Sequence, residues 1–389
     1  MKDIYIIGLG QTAVGEHWER SLRDLAAEAI EPALMEANLH YPDALYVANA
    51  FSGQLTHQTH LGALIADFVG LRGIEAVAIE AGSASGGAAI RQAALALSSG
   101  LLDTALVVGV EKVTDVVGAG INYHTATGLD MDWEAEQGLT NAAAAGLIMQ
   151  RYLHDYGVTL ANFAGFSENA HLNAKGNPKA MFRNTLRPGM YEKAGMVATP
   201  VNMFDSAPDA DGAAAVVLVT GEALGQMGNL KHKAVRLVGS ALSTDGLALH
   251  DREDLLRFDA ARVSAERALQ QAEMTIGQID VFELHDAYTI YTVLTLEALG
   301  LAEPGKGWQV AAEGRLGRGE GKLAISTFGG LKARGNPHGA AGVYQVVEAA
   351  QQLRGEAGNC QVEGARRALV QNLGGAAATA VTHILEATE

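Results

Sequence analysis

A single cysteine, Cys360, leaves no partner for an intramolecular disulfide, and no Cys/His cluster has the spacing of a structural zinc site, so no metal is expected. Basic residues are scarce. Against 44 Asp and Glu there are 28 Lys and Arg, a formal net charge of -16, which argues against nucleic-acid binding. Apolar runs such as Ala105 to Val110 and Ala213 to Val219 are far shorter than the roughly 20 residues that cross a bilayer. They read as buried strands, with no membrane span. The N-terminus lacks a basic n-region, a long apolar stretch and a cleavage site, and Ile4 to Ile7 before Gly8-Leu-Gly10 reads as a first strand. Together these absences predict a cytoplasmic protein. Aromatic residues are only 6%, whereas glycines number 46 and apolar residues reach 48%, so the core is expected to be built from Ala, Val and Leu around many tight turns.

At 389 residues the chain predicts two or more folding units. Strand-like runs at Ile4 to Ile7, Ala44 to Val47 and Ala105 to Val110 alternate with Ala-rich helical stretches at Leu22 to Glu36 and Gly86 to Leu97. That alternation is the α/β signature. From about 114 to 210 the pattern gives way to irregular sequence with helical pieces such as Asn141 to Tyr156, which reads as an insertion in a first half of 1–234. The opening order then repeats in 235–389. Pro42-Asp-Ala-Leu-Tyr-Val-Ala-Asn-Ala-Phe51 matches Ile279-Asp-Val-Phe-Glu-Leu-His-Asp-Ala-Tyr288, with Asp43 and Asp280 standing 237 residues apart. Each half also carries a Gly-rich turn opening an Ala-rich helix, at Gly82 to Ala89 and at Gly335 to Gly342. Two packed copies of one unit are therefore expected.

Three segments place polar residues at the ends of predicted strands, where α/β sheets hold ligands. In Ala78-Ile-Glu-Ala-Gly-Ser-Ala-Ser-Gly-Gly87 an extended run turns into a helix, leaving Ser83 and Ser85 beside unpaired N–H groups. The spot suits a nucleophile or an oxyanion, although on the residues alone a serine here reads first as a plain helix cap. In Phe282-Glu-Leu-His-Asp-Ala-Tyr288, His285 could polarise a carbonyl or shuttle a proton, and Asp286 could cap the helix Thr289 to Leu299. The third, Gly329 to Gly342, is dense enough in glycine to let backbone approach a ligand. It lacks the Gly-Lys-Ser/Thr ending of a phosphate loop, and Gly8-Leu-Gly10 lacks the third glycine of a dinucleotide fingerprint.

These segments, in this order on a duplicated framework, resemble the thiolase superfamily over essentially the whole chain, and its lipid-transfer-type (sterol-carrier-like) branch of bacterial and archaeal acetyl-CoA acetyltransferases in particular. Val108-Gly-Val-Glu-Lys112, Asn169-Ala-His-Leu-Asn-Ala174 with Asn177-Pro178, Asp205-Ser206, Asp211-Gly-Ala-Ala-Ala215 and Gln371-Asn-Leu-Gly-Gly375 agree with that branch. The resemblance implies a five-layered αβαβα thiolase fold of two similar halves, a loop domain inserted in the first, at least a homodimer, and a coenzyme A thioester as substrate with no covalently bound cofactor. It puts Ser83 where the family's nucleophilic cysteine stands and Asn336, in Gly335-Asn-Pro337, where its Gly-His-Pro histidine stands. His285 keeps the position that holds the thioester oxygen. Asn372 replaces the second, acid/base cysteine, and Gly374 is expected to add a backbone N–H beside that of Ser83 as a second oxyanion hole.

The departures carry chemical consequences. A serine hydroxyl needs an adjacent general base, which Asn336 cannot be. His338 lies two residues further on, where a tight proline-containing turn is expected to aim its ring elsewhere. Cys360, in a Gly/Asn-containing connection, is not expected to serve as a nucleophile. Three functions remain open: impaired acyl-CoA acyl transfer through Ser83; non-covalent aldol-type cleavage with His285 polarising the carbonyl and Tyr288, Tyr291 or Tyr344 supplying a proton; or an acyl-CoA-binding subunit working through a small zinc-ribbon/OB-fold partner. Coenzyme A phosphates would then depend on local groups in the insertion such as Lys175, Lys179 or Arg183, which otherwise read as a solvated face.

Overall fold

The computed structural model describes residues 3–228 and 230–388. The first half runs β1 (Ile4–Gln11), α1 (Leu22–Ala37), β2 (Ala44–Ala48), α2 (Ser52–Leu55), α3 (Leu61–Phe68), β3 (Glu75–Ile79), α4 (Ser85–Ser99) and β4 (Thr104–Glu111). The chain then leaves the sheet for α5 (Ala119–Thr125), α6 (Asn141–Tyr156), α7 (Ala164–Ala174) and a hairpin of β5 (Met196–Ala198) and β6 (Val201–Asn202). It returns through β7 (Gly212–Thr220) and α8 (Gly221–Gln226). The second half runs β8 (Val235–Thr244), α9 (Asp259–Ala272), β9 (Val281–Leu284), α10 (Thr289–Ala298), α11 (Gln309–Ala312), β10 (Ala324–Ile325), α12 (Ala341–Arg354), β11 (Arg367–Gly374) and β12 (Thr379–Ala387).

The two halves repeat one sheet topology. Strand order is β3-β2-β4-β7-β1 in the first and β10-β9-β11-β12-β8 in the second, the first three strands of each parallel and the last two antiparallel. Asp43 and Asp280 do the same work in each copy. Asp43 Oδ2 accepts from the N–H groups of Asp103 (3.0 Å) and Thr104 (2.9 Å), and Asp280 Oδ2 from those of Arg366 (2.9 Å) and Arg367 (2.8 Å). Each carboxylate thus ties the start of one parallel strand to the next. A short β1/β8 pairing at Tyr5 and Ile6 joins the halves into one ten-stranded sheet.

Layering follows from where apolar surface can be hidden. Strands β4 and β7 are buried almost end to end, so both faces must be covered. Helices α1 and α3 cover the outside of the first half, α9 covers the second, and α4 and α12 lie between, touching strands of both. The result is the expected five-layered thiolase-type α/β arrangement. The two central helices meet closely at Gly86 and Gly342: a Cβ on Gly86 would stand 2.7 Å from the Val343 nitrogen, and one on Gly342 would stand 2.4 Å from the Gly87 nitrogen. Small residues there are a packing requirement. Because α12 is buried all round, its polar residues need internal partners. Glu348 pairs with Arg334 at 2.7 Å, and Gln352 donates to Thr327 at 2.8 Å. Among the described residues no helix is long and apolar enough to cross a membrane.

Candidate active site

Strand β3 stops at Ile79 and the chain turns through Gly82, at φ +56°, into α4. A left-handed turn of this kind suits glycine. Ser85, fully buried, pins the turn: its hydroxyl accepts from Ala81 N (2.9 Å) and donates to Gly82 O (2.6 Å). The N-cap position is held by Ala84, so neither serine is a conventional cap. Ser83 is half-buried, and its hydroxyl makes no hydrogen bond among the described residues. It stands just before α4, where the N–H groups of Ala84 and Ser85 are spent on Ala81 O (3.1 Å) and Gly82 O (3.1 Å) and that of Gly87 on Asn372 (3.1 Å), so the helix dipole and the N–H of Ser83 itself are what favour developing negative charge.

Across from it, β9 ends at Leu284 and delivers His285. On the neighbouring strand, Asn372 lies 3.1 Å from His285 Nδ1, while its other side-chain atom accepts from Gly87 N–H at 3.1 Å. That second bond fixes which end of the amide is oxygen. Asn372 must therefore donate to Nδ1, leaving the imidazole proton on Nε2. Burial, with the charges of His338 and Arg334 adding, pulls His285 down to about 3, so the ring is neutral. A neutral imidazole whose free Nε2–H meets the pocket is a donor for a carbonyl oxygen. Asp286 points the other way. Its Oδ1 accepts from Leu331 N–H at 2.6 Å, and the N-cap of α10 is Tyr288, so the expected capping role is replaced by bracing of the 329–331 loop.

The third segment wraps around Asn336. Gly335 is left-handed at φ +109°, Asn336 N–H donates to Pro208 O (2.9 Å), and the Asn336 side-chain oxygen accepts from His338 N–H (3.1 Å). His338 is itself at φ +34°, unusual for a side chain with a Cβ. That backbone turn corrects the expectation that its ring would aim elsewhere. His338 Nε2 lies 2.8 Å from Asp209 Oδ1, and its ring packs edge-on to Phe51 at 5.3 Å. Burial pulls its pKa down, but the Asp209 hydrogen bond and the charges of Asp209 and Glu111 outweigh it and raise the group above the ordinary histidine value.

Ser83, His285, Asn336, His338, Asp209 and Tyr288 line one pocket of about 140 Å³. Tyr291 lines it too, its ring 5.1 Å from that of Tyr288, and burial raises both phenols, keeping them protonated. Other expected residues lie elsewhere. Tyr344 is outside the pocket, buried on α12 with its hydroxyl 2.9 Å from Thr12 Oγ1 and its ring beneath the Arg334 guanidinium at 4.9 Å. Gly374 packs directly against the Ser83 turn, where a Cβ would stand 2.5 Å from Ala81 O, and the next residue, Gly375, lines the pocket. Lys175 and Arg183 are exposed, whereas Lys179 donates to Gln11 O and burial lowers its pKa. Cys360 is buried away from the site, with burial raising its thiol to about 11.

The sequence reading missed Asp209, Phe51 and the part played by Glu111. Glu111 accepts from Asn49 Nδ2 (2.8 Å) and from the N–H groups of Ala50 (2.9 Å), Phe51 (3.2 Å) and Gly339 (3.0 Å), tying the end of β2 to the His338 turn. The motif Val108-Gly-Val-Glu-Lys112 was a signal for Glu111. Asp209, lying between the Asp205-Ser206 and Asp211 landmarks, had none of its own. No group of three or more His, Cys, Asp or Glu side chains that could hold a metal ion occurs among the described residues.

Fold and site together define a class: the chain belongs to the thiolase family, with residues 4–194 matching the thiolase N-terminal domain and 241–387 the thiolase C-terminal domain-like model. Within that class it is 39% identical over 386 residues to acetyl-CoA acetyltransferase from Methanothermobacter thermautotrophicus, covering 99% of both chains. It is 36% identical over 391 residues to acetyl-CoA acetyltransferase from Methanocaldococcus jannaschii, again covering 99% of each. Among solved structures, the Ltp2-ChsH2(DUF35) aldolase superposes with a TM-score of 0.84 at 23% identity, covering 99% of this chain and 98% of that one. Acetyl-CoA acetyltransferase from Syntrophomonas wolfei gives 0.76 at 18% identity over 100% of both chains. At those identities the structural likeness is one of fold.

Proposed function

We propose that this protein is a thiolase-type acyl-CoA acyltransferase, of the acetyl-CoA C-acetyltransferase kind, that uses Ser83 as its acyl acceptor. The observation that carries the reading is the shared pocket of Ser83, neutral His285 and the His338–Asp209 pair. Nucleophile, base, orienting carboxylate and oxyanion donor are the parts an acyl transfer needs. In thiolysis of a 3-oxoacyl-CoA, Ser83 Oγ attacks the keto carbon and its proton passes to His338. The carbon–carbon bond breaks, acetyl-CoA leaves as its enolate and takes that proton at carbon, and the shortened acyl group stays on Ser83 as an ester. The thiol of free coenzyme A then gives up its proton to His338 as its sulfur attacks the seryl ester, and the proton returns to Ser83. His285 Nε2–H and the Ser83 N–H support the oxyanion, and Asn336 holds the His338 turn. Serine is the weaker nucleophile, and positioned acid/base help is worth about 10²- to 10⁴-fold, so the pair decides whether turnover is measurable.

The test is acetyl-CoA formation from acetoacetyl-CoA with and without free coenzyme A. The reading predicts CoA-dependent product that vanishes in Ser83→Ala. A second reading draws on Tyr288, which lines the same pocket as Ser83: aldol-type cleavage with no acyl-enzyme, in which an aldehyde or ketone forms without added coenzyme A and Ser83→Ala keeps activity. The same proposal includes a cytoplasmic setting, a zinc-ribbon/OB-fold partner and self-association. Strand β3 supports the last of these: it is an edge strand, and Val77 on it is exposed.

A further inference from the structure

On its insertion side the pocket has a neighbour. Val197, Ser206 and Ala207 line the catalytic pocket and also line a second, solvent-open cavity of about 390 Å³, edged by Phe182 (42% exposed) and Met203 (61% exposed), backed by Phe204 and reaching Lys332. Its volume falls within the range of about 300–1,000 Å³ typical of small-molecule sites. His171 stiffens the wall, stacked on Phe182 at 6.2 Å and edge-on to Phe204 at 5.9 Å.

Lys332 brings an ammonium to a wall that otherwise mixes apolar residues with His171, Asn184, Thr185 and Ser206. Lys332 sits in the π-helical turn Gly330–Arg334, is 3% exposed, and donates to Asp205 O at 2.6 Å. The carboxylates around it are engaged elsewhere: Asp205 accepts from Tyr191 OH (2.7 Å) and Asn202 N–H (3.1 Å), and Asp286 from Leu331 N–H (2.6 Å). Among the described residues none comes within the 4.0 Å of an ion pair. Burial pushes the Lys332 amine down to about 8 while Asp286 and Asp205 pull it back up. A buried ammonium without an ionic partner is costly, and an anion in the adjoining cavity would complete it.

We propose that this second cavity receives the acyl chain of the CoA thioester and that Lys332 pairs with a carboxylate at the far end of that chain. The substrate class is then a medium-length acyl-CoA with a terminal carboxyl group. The inference rests on the acyl-CoA reading of the catalytic pocket. Phe182, Met203 and Phe204 offer the methylenes apolar surface, the ammonium recognises the terminus, and an acetyl group uses neither.

Affinities of free coenzyme A, acetyl-CoA, hexanoyl-CoA and adipoyl-CoA, measured by calorimetry on the full chain, its Lys332→Met variant and its Met203→Trp variant, test this. Adipoyl-CoA is expected to bind at least about tenfold tighter than hexanoyl-CoA, as a buried charge-assisted contact requires, and Lys332→Met is expected to erase that preference. Met203→Trp, which leaves Lys332 in place, should weaken both longer thioesters about tenfold and spare acetyl-CoA and free coenzyme A. Equal binding of adipoyl-CoA and hexanoyl-CoA by the native chain overturns the proposal. So does a loss of free coenzyme A binding in Met203→Trp, which would assign the cavity to the pantetheine arm. Failure of all four ligands to bind the native chain would instead remove the acyl-CoA reading itself, and this inference with it.

Discussion

Asn372 shows how one amide can set the chemistry of a pocket. By accepting from Gly87 and donating to His285 Nδ1, it leaves the imidazole proton on Nε2. Asn372→Asp would put a carboxylate at Nδ1 and move the proton there, turning Nε2 from donor to acceptor. Turnover should then fall about as far as in His285→Ala, by roughly 10²- to 10³-fold, with the His285 pKa raised in an imidazole NMR titration. A purely structural role for Asn372 would leave that titration unmoved. His338 behaves in the opposite sense. Its proton is held by Asp209, so if it acts as a base, activity should rise with pH through a midpoint above its ordinary 6.5. Asp209→Asn should move that midpoint down in a kcat/KM–pH profile. The same pair stabilises the fold on the acid side, and that contribution is lost as pH rises through the folded-state pKa.

At the scale of elements, the close approach of α4 and α12 makes the site possible. It presses the Ser83 turn and the Gly335–Gly339 loop, which open those two helices, toward each other. Gly86 has no room for a Cβ because backbone atoms of Gly342 and Val343 stand within 2.9 Å of that position. Gly86→Ala is therefore expected to cost about 1–3 kcal/mol in urea unfolding. Gly225, helical in α8 with nothing near its Cβ position, is the control: Gly225→Ala should be neutral or stabilising by up to about 1 kcal/mol. Strands, helices and the three site segments were legible in the sequence, because alternation and Gly-rich turns are local signals. Partners brought together by tertiary folding were not. Asp209 and His338 are 129 residues apart, and no period or motif links them. Tyr344 was misplaced for a related reason: α12 is buried on every face, so its sequence does not tell which side meets a pocket. The left-handed turn at His338, which reverses the direction of its ring, has no glycine at that residue to announce it.

For the whole molecule, duplication explains why opposed parts make one site. Equivalent strands deliver different chemistry, the first half giving Ser83 and Glu111, the second His285 and the His338 turn. The insertion between β4 and β7 supplies Asp209 and the wall of the second cavity. The sheet also has unequal ends. Strand β10 is two residues long and buried, whereas β3 presents five residues, Val77 among them at 48% exposure. Sedimentation should give a species of about twice 40.6 kDa, and Val77→Lys, which places a charge on that edge, should shift it toward the monomer. The most direct test of the central claim is the intact-protein mass after incubation with acetyl-CoA or acetoacetyl-CoA, followed by peptide mapping. An acyl adduct on Ser83, absent in Ser83→Ala and diminished in His338→Ala, is the predicted result. No adduct on the native chain, together with one on the double variant Ser83→Cys, Asn336→His, would contradict it by showing a pocket that binds the thioester without forming a seryl ester.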